Sequence, residues 1–267
     1  NQNKTDFTSV GLDEVWRYRM ADKQYHSEII DLPSKGKVYG KDSPLKDGKI
    51  ELKYMTAKEE DILTSQNLIK KGVVVDKVLD SLILTEGVKT NDLIIGDKNA
   101  VMVAARILAY GPEYTAEVTN PNTGETAVHT FNLADCPFKE ISEDITGNTF
   151  DMELPVSKTK IKFRLLTGKD EKEIENEIKQ QNKLGSQVSP ELTTRLRKVI
   201  TEVDGDSEQS TINQFVNNML SRDSLFFRQS ISKVSPDIDL TQEVEIGGDV
   251  VRVDIPMTIN FFWPDAS

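Results

Sequence analysis

The sequence predicts an α+β fold of two related units, each a β-hairpin or short sheet with a small helix bundle. Three observations predict it. Residues 49–63 (KIELKYMTAKEEDIL) align with residues 160–174 (KIKFRLLTGKDEKEI) at a shift of 111 (160 − 49), and a Leu-Pro pair precedes each copy, Leu32-Pro33 and Leu154-Pro155. Gly111-Pro112-Glu113 matches Ser235-Pro236-Asp237, and Gly124-Glu125 matches Gly248-Asp249, both at a shift of 124 (235 − 111). One insertion or a few reconcile the two shifts. Apolar residues also switch between period two and spacings of three and four, the marks of strands and helices. The chain divides into an N-terminal arm at 1–27, a first unit at 28–144 and a second at 145–267, units of ordinary domain size.

In the arm, residues 13–20 have room for two helical turns, and Trp16 lies outside the duplicated unit. The segment either packs on a neighbour or caps its own core. In the first unit, Ile50, Leu52 and Tyr54 alternate with charges, which predicts a half-buried strand. Thr56 stands three residues before Glu59, so hydroxyl and carboxylate can each satisfy a free backbone donor at a helix start. That helix is expected over 57–70, closed by Gly72. A second is expected over 75–84, where Val75, Val78, Leu79 and Leu82 make one apolar stripe. A third begins at Asp97 and stops at Gly111-Pro112, since proline cannot continue the ladder. Residues 114–133 read as a hairpin turning at residues 120–124.

The junction is expected at 135–144. Strands follow near 150–154 and 161–166, and Thr167 opens an acidic helix reaching Lys183. Residues 185–190 form a break, 191–200 another helix, and 203–208 a polar turn. Ile212, Phe215, Val216 and Met219 mark a further helix, and the last begins at Asp223 and ends before Pro236. Residues 240–259 form a hairpin around Gly247-Gly248.

Composition excludes several functions. Net charge is −11, which repels nucleic acid and anionic lipid. No stretch reaches the roughly 18–20 continuous apolar residues of a membrane span, and the N-terminus shows no secretory signal. Cys136 is the single cysteine, so no intrachain disulfide forms, and beside Pro137 it reads as a small buried hydrophobe. His26 and His129 are the two histidines, far apart in the chain, without the converging donors that a transition metal needs. Residues 204–208 have carboxylates in the wrong register for calcium. Neither a phosphate loop nor a nucleophile elbow occurs. No catalytic residue, cofactor or metal is expected.

Two local features carry more information. Set beside the zinc knuckle Cys-Pro-x-Cys-Gly, the turn around Pro121 has Asn120 and Thr123 at the two thiol positions. It is either a vestige of a metal knuckle or an ordinary hairpin turn. The closing Phe261-Phe262-Trp263 cannot all face one side of a strand, because alternate side chains point oppositely. With Phe261 and Trp263 buried, Phe262 faces outward. The run is either sandwiched inside its own domain or an anchor in a subunit interface.

Several stretches together resemble the baseplate (hub) proteins of T-even-type contractile-tailed bacteriophages. They are Leu32-Pro33-Ser34 with Gly36 and Tyr39; Tyr54-Met55-Thr56-Ala57 with Glu59-Glu60; Asp97 onward to Arg106-Ile107 and Tyr110-Gly111; and the closing run from Val253 to Pro264. Members often carry a thiol knuckle at the place of Asn120 and Thr123, where this chain departs. The resemblance implies a structural component of the tail baseplate or hub, in the virion, assembled in the bacterial host cytoplasm. It also implies that no reaction is catalysed and that the chain acts through protein–protein interfaces, with Trp16, Phe261, Phe262 and Trp263 as interface candidates. The expected partners are other baseplate and tail proteins, the tape measure protein among them, in an oligomeric assembly. The alternative is a tail assembly chaperone that binds the tape measure or hub proteins transiently, for which the acidic helix at 169–183 suits a basic partner. A tail-borne hydrolase would need two placed carboxylates, and the sequence singles out none.

Overall fold

Alternation within residues 49–54 starts the first sheet. In the computed structural model, which describes residues 25–183, 189–257 and 259–262, β1 (Ser27–Asp31) pairs antiparallel with β2 (Lys49–Lys53), Ile30 opposite Ile50. Ile50 and Leu52 face the core. The connecting loop is closed by Leu32 N–H donating to the Gly48 carbonyl at 2.8 Å.

Three short helices follow. The expected helix over 57–70 is two, α1 (Ala57–Thr64) and α2 (Gln66–Lys71), because Ser65 is extended at φ −67°, ψ 102°. Its carbonyl accepts from Leu68 and Ile69, so it opens the second helix, a role serine fills better than a helix interior. Gly72 ends α2 at φ 68°, a left-handed conformation that costs glycine little. α3 (Val74–Leu82) stops earlier than expected because Ile83 bridges Leu52 and Leu84 N–H donates to the Glu51 carbonyl. α4 (Ile95–Tyr110) leads to β3 (Glu113–Thr119) and β4 (Thr126–Asn132), with Tyr114 opposite Phe131.

The expected junction contains a short strand, β5 (Phe138–Lys139). A three-stranded sheet of order β6-β7-β8 follows, from β6 (Phe150–Glu153), β7 (Lys160–Phe163) and β8 (Ile200–Val203). β8 corrects the sequence reading, which gave Ile200 to a helix and Val203 to a polar turn. Both are buried beside β7. So short a segment does not let periodicity separate a strand from a helix end. α5 (Gly168–Lys183) packs against α6 (Glu191–Val199), and α6, α7 (Gln209–Asn217) and α8 (Ser221–Val234) pack on this sheet, then β9 (Asp237–Ile238) pairs with β5. β10 (Thr241–Ile246) and β11 (Asp249–Asp254) form the last hairpin, turning at Gly247-Gly248.

The described residues thus form a mixed α+β fold of small sheets and eight α-helices, with two principal apolar clusters. The larger joins β1, β2, α1–α4 and β3–β4, and it also takes in Val244, Ile246, Val251, Val253 and Ile255 of the last hairpin region. The smaller gathers Leu154, Ile161, Phe163, Leu196, Ile200 and Phe227 between β6–β8 and α6–α8. The regions around them are called the first and second lobes. A bridging cluster of Val38, Ile94, Ile141 and Leu165 lies between them.

Candidate functional site

Each lobe has a corner where a strand ends and an acidic helix begins, β2 before α1 and β7 before α5. At the first, Glu59 is fully buried, and its Oε1 accepts from Lys53 Nζ at 2.7 Å and Ser81 Oγ at 2.6 Å. Its Oε2 accepts from Thr56 N–H at 3.0 Å and Thr56 Oγ1 at 2.7 Å, capping α1. Burial alone would raise the Glu59 carboxyl, but the bonds from Lys53, Ser81 and Thr56 outweigh it and hold it down at about 2.

The second corner has the same parts. Asp170 takes a two-pronged bond from Arg164, at 2.7 and 2.6 Å, and bonds from Thr167 N–H at 2.8 Å and Oγ1 at 2.9 Å. Burial pushes this carboxyl up, and Arg164 with Thr167 brings it down to about 2. Lys53/Arg164, Thr56/Thr167 and Glu59/Asp170 are each related by the shift that aligns the two copies (164 − 53 = 167 − 56 = 170 − 59).

A second correspondence fixes each Leu-Pro turn. Asp97, third residue of α4, accepts from Ser34 N–H at 3.0 Å, Ser34 Oγ at 2.6 Å and Tyr39 Oη at 2.6 Å. Asp223, third residue of α8, accepts from Val156 N–H at 2.9 Å and Ser157 N–H at 3.0 Å. Burial, with the nearby Asp237 charge adding to it, raises the Asp97 carboxyl above its usual range despite the bonds from Ser34 and Tyr39.

The lobes join at the second corner. Ile95 N–H donates to the Leu166 carbonyl at 3.0 Å, and Gly168 N–H to that of Leu93 at 2.9 Å. Asp76 on α3 clasps Lys98 on α4 at 2.7 Å and Lys172 on α5 at 2.8 Å. Burial would raise Asp76, but the lysines keep its carboxyl below the usual range. A groove of about 290 Å³ opens beside the joint, lined by Leu166, Leu192, Ile231, Arg195 and Arg228 among others. Its lining has neither histidine nor cysteine among the described residues.

The sequence-expected site residues fall as follows. Trp16 and Trp263 lie outside the described residues. Phe261 and Phe262 are each 1% exposed, which corrects the outward orientation expected for Phe262. The alternation argument assumed a strand, whereas β11 ends at Asp254 before Pro256 and residues Ile259–Phe262 form a 3₁₀ turn. Successive side chains there are not opposed, and both rings enter the core. Phe261 meets Tyr114 edge-on at 5.0 Å and Phe262 at 5.4 Å.

Asn120 is 1% exposed. Its Oδ1 accepts from Asn122 N–H at 2.9 Å and Thr123 N–H at 3.3 Å, and its Nδ2 reaches the Ile246 carbonyl at 3.5 Å. It organises its own turn and touches the other hairpin. Thr123 is exposed, with its hydroxyl accepting from Glu125 N–H at 3.3 Å. Among the described residues no group of three or more His, Cys, Asp or Glu side chains could hold a metal ion, and no helix is long and apolar enough to cross a membrane. Cys136 is buried, and burial raises its thiol.

Sequence reasoning found the Thr56–Glu59 cap but missed Lys53, assigning the inward positions to Ile50, Leu52 and Tyr54. Lys53 is 6% exposed and Tyr54 is 37% exposed. The readable signal was the same charge pair at a fixed offset in both copies.

These contacts predict an acid limit to stability. Glu59 and Asp170 have folded carboxyls held near 2, below their ordinary values of 4.5 and 3.8. Their stabilisation is complete above about pH 4.5 and is lost as pH falls towards 2. The raised Asp97 works oppositely, binding its proton more readily when folded. Urea midpoints from pH 7 to 2 should fall steeply below pH 4; a flat profile would contradict the assignment.

A family model described as T4 bacteriophage base plate protein matches residues 25–263, most of the chain. No match was found among curated proteins or solved structures.

Proposed function

The chain belongs to the T4 bacteriophage base plate protein family, and from that premise we propose that it is a structural component of the tail hub, holding neighbouring tail proteins through two related units. Membership makes it a phage baseplate protein of the virion tail that interacts with other tail proteins. The hub position, the units at 28–144 and 145–267 and the arm at 1–27 are our reading. The observation that carries the two-unit reading is the matched pair of corners. Lys53–Glu59–Thr56 and Arg164–Asp170–Thr167 make equivalent bonds at one sequence offset. The Leu-Pro turns add to it: Leu32 N–H donates to Gly48 and Leu154 N–H to Thr159, and the two acceptors are related by that same offset (159 − 48).

Rigid, internally satisfied corners suit a part that positions others, because buried charges that are fully paired fix one arrangement. Trp16 and Trp263 stay interface candidates in this reading; Phe261 and Phe262 serve the chain's own core. Mass spectrometry of purified virions tests the role. Stoichiometric amounts are expected in mature particles. Presence on tail intermediates with absence from finished particles would instead assign the chaperone role.

A further inference from the structure

The outward side of α8 runs against the charge of the chain. Acidic residues outnumber basic ones by 44 to 33, yet eight residues of α8 are exposed and none of them is acidic. They are Arg222, Arg228 and Lys233, the apolar Leu225 and Phe226, and three uncharged polar residues. The one carboxylate of the helix, Asp223, is buried and accepts from Val156 and Ser157 N–H. None of the three cations enters an ion pair among the described residues. Arg222 also stands second in the helix, at the positive end of its dipole, where the fold itself disfavours a cation. Apolar groups gather on the same helix. Leu225 is 49% and Phe226 39% exposed, Leu220 just before the first turn is 49% exposed, and Val156, held to that turn by Asp223, is 41% exposed. Single exposed apolar residues are ordinary, whereas a cluster rimmed by charge of one sign marks a contact surface.

We propose that this face of α8 receives an acidic amphipathic helix of another tail protein, which lays apolar residues on Leu225 and Phe226 and sets carboxylates against Arg222 and Lys233. Arg222, Phe226, Gln229 and Lys233 recur at spacings of four, three and four, which makes one straight stripe along the helix. The two end cations are eleven residues apart (233 − 222), about 16 Å at 1.5 Å per residue. A helix laid along the stripe meets both with acidic side chains three turns apart and an apolar stretch between them. A second copy of this chain does not offer that surface from its acidic helices, since α1 and α5 turn no large apolar side chain outward. The N-terminal arm has Trp16 but carries Arg17 and Arg19 beside it, the same charge as the face. An anionic lipid surface is disfavoured by the net charge of −11. The inference rests on the tail-protein reading above, naming a surface for it, and does not need the two-unit one.

The test places the photoreactive residue p-benzoylphenylalanine at Phe226 and irradiates tail intermediates and virions from infected cells. The expected product is a cross-link to one segment of another tail protein, in which carboxylates flank apolar residues. Reversing both end charges, Arg222→Glu with Lys233→Glu, should lower its yield at least about tenfold. The same change of charge at Lys70 and Lys77, exposed on the first lobe, should leave the yield within about twofold. Thermal melting checks the fold of each variant, and Arg222→Glu alone replaces the pair if the pair unfolds. Absence of a cross-link overturns the proposal, and so does a yield indifferent to reversal at Arg222 and Lys233. A cross-link to lipid, to a second copy, to residues 1–24 of the same chain or to a basic segment overturns it as well. Failure of the tail role shows separately, because the chain would then be missing from intermediates and virions alike.

Discussion

Glu59→Ala is expected to destabilise the protein by about 3–5 kcal/mol, the range for stripping one partner from a buried ion pair. Glu59 is fully buried and Lys53 is 6% exposed, so the lysine left behind has neither water nor counter-charge. The same change orphans Ser81 Oγ and removes the cap of α1. Replacing both members, Lys53→Met with Glu59→Leu, should recover much of the loss, because an apolar pair carries no desolvation penalty. Urea denaturation at pH 7 measures both. A loss under about 1 kcal/mol for the single variant would mean that Lys53 reaches solvent. Asp170→Ala should cost less, since the Arg164 side chain is 30% exposed and rehydrates when its partner is gone.

Gly96→Ala should have the second large effect, at the joint between the lobes. The added Cβ would meet the Pro236–Asp237 backbone: Pro236 oxygen at 1.8 Å, Pro236 carbon at 2.7 Å and Asp237 Cα at 3.0 Å. Backbone cannot swing aside as a flexible side chain does, so α4 must withdraw from β9. Overpacking of this kind costs about 1–3 kcal/mol and sometimes more. The amides of Ile95 and Gly168, whose bonds cross the joint, should lose protection in hydrogen exchange. Those of β7 should keep it. Unchanged exchange at Ile95 and Gly168 would show that the joint does not depend on this close approach.

How much of this was readable varies by the kind of interaction. Local signals were legible: Thr56 with Glu59 marked a helix start, Gly111-Pro112 a helix end and Gly247-Gly248 a turn, each depending on residues a few positions apart. Ser65 was not, because serine is tolerated within helices as well as at their starts, so the residue type alone does not mark a break. Strand β8 was hidden for a related reason. Ile200 and Val203 become a strand by lying against Ile161 and Phe163, partners far off in the sequence with the whole of α5 and α6 between. At the chain end, reading Phe261-Phe262 as strand led to the wrong orientation, since the turn that buries both rings is set by Tyr114 and the first hairpin.

By itself the sequence determined the α+β class, most element positions, the match between residues 49–63 and 160–174 and the resemblance to phage baseplate proteins. All of these follow from short-range chemistry or from comparing the chain with itself. Tertiary structure decided which corner the joint between the lobes uses, that the last hairpin region shares the core of the first lobe, and that Lys53 points inward. Those outcomes turn on close approach between distant segments, such as Gly96 against Pro236. A pattern of residue types fixes which groups want partners, and only the packed backbone fixes which partners come within reach.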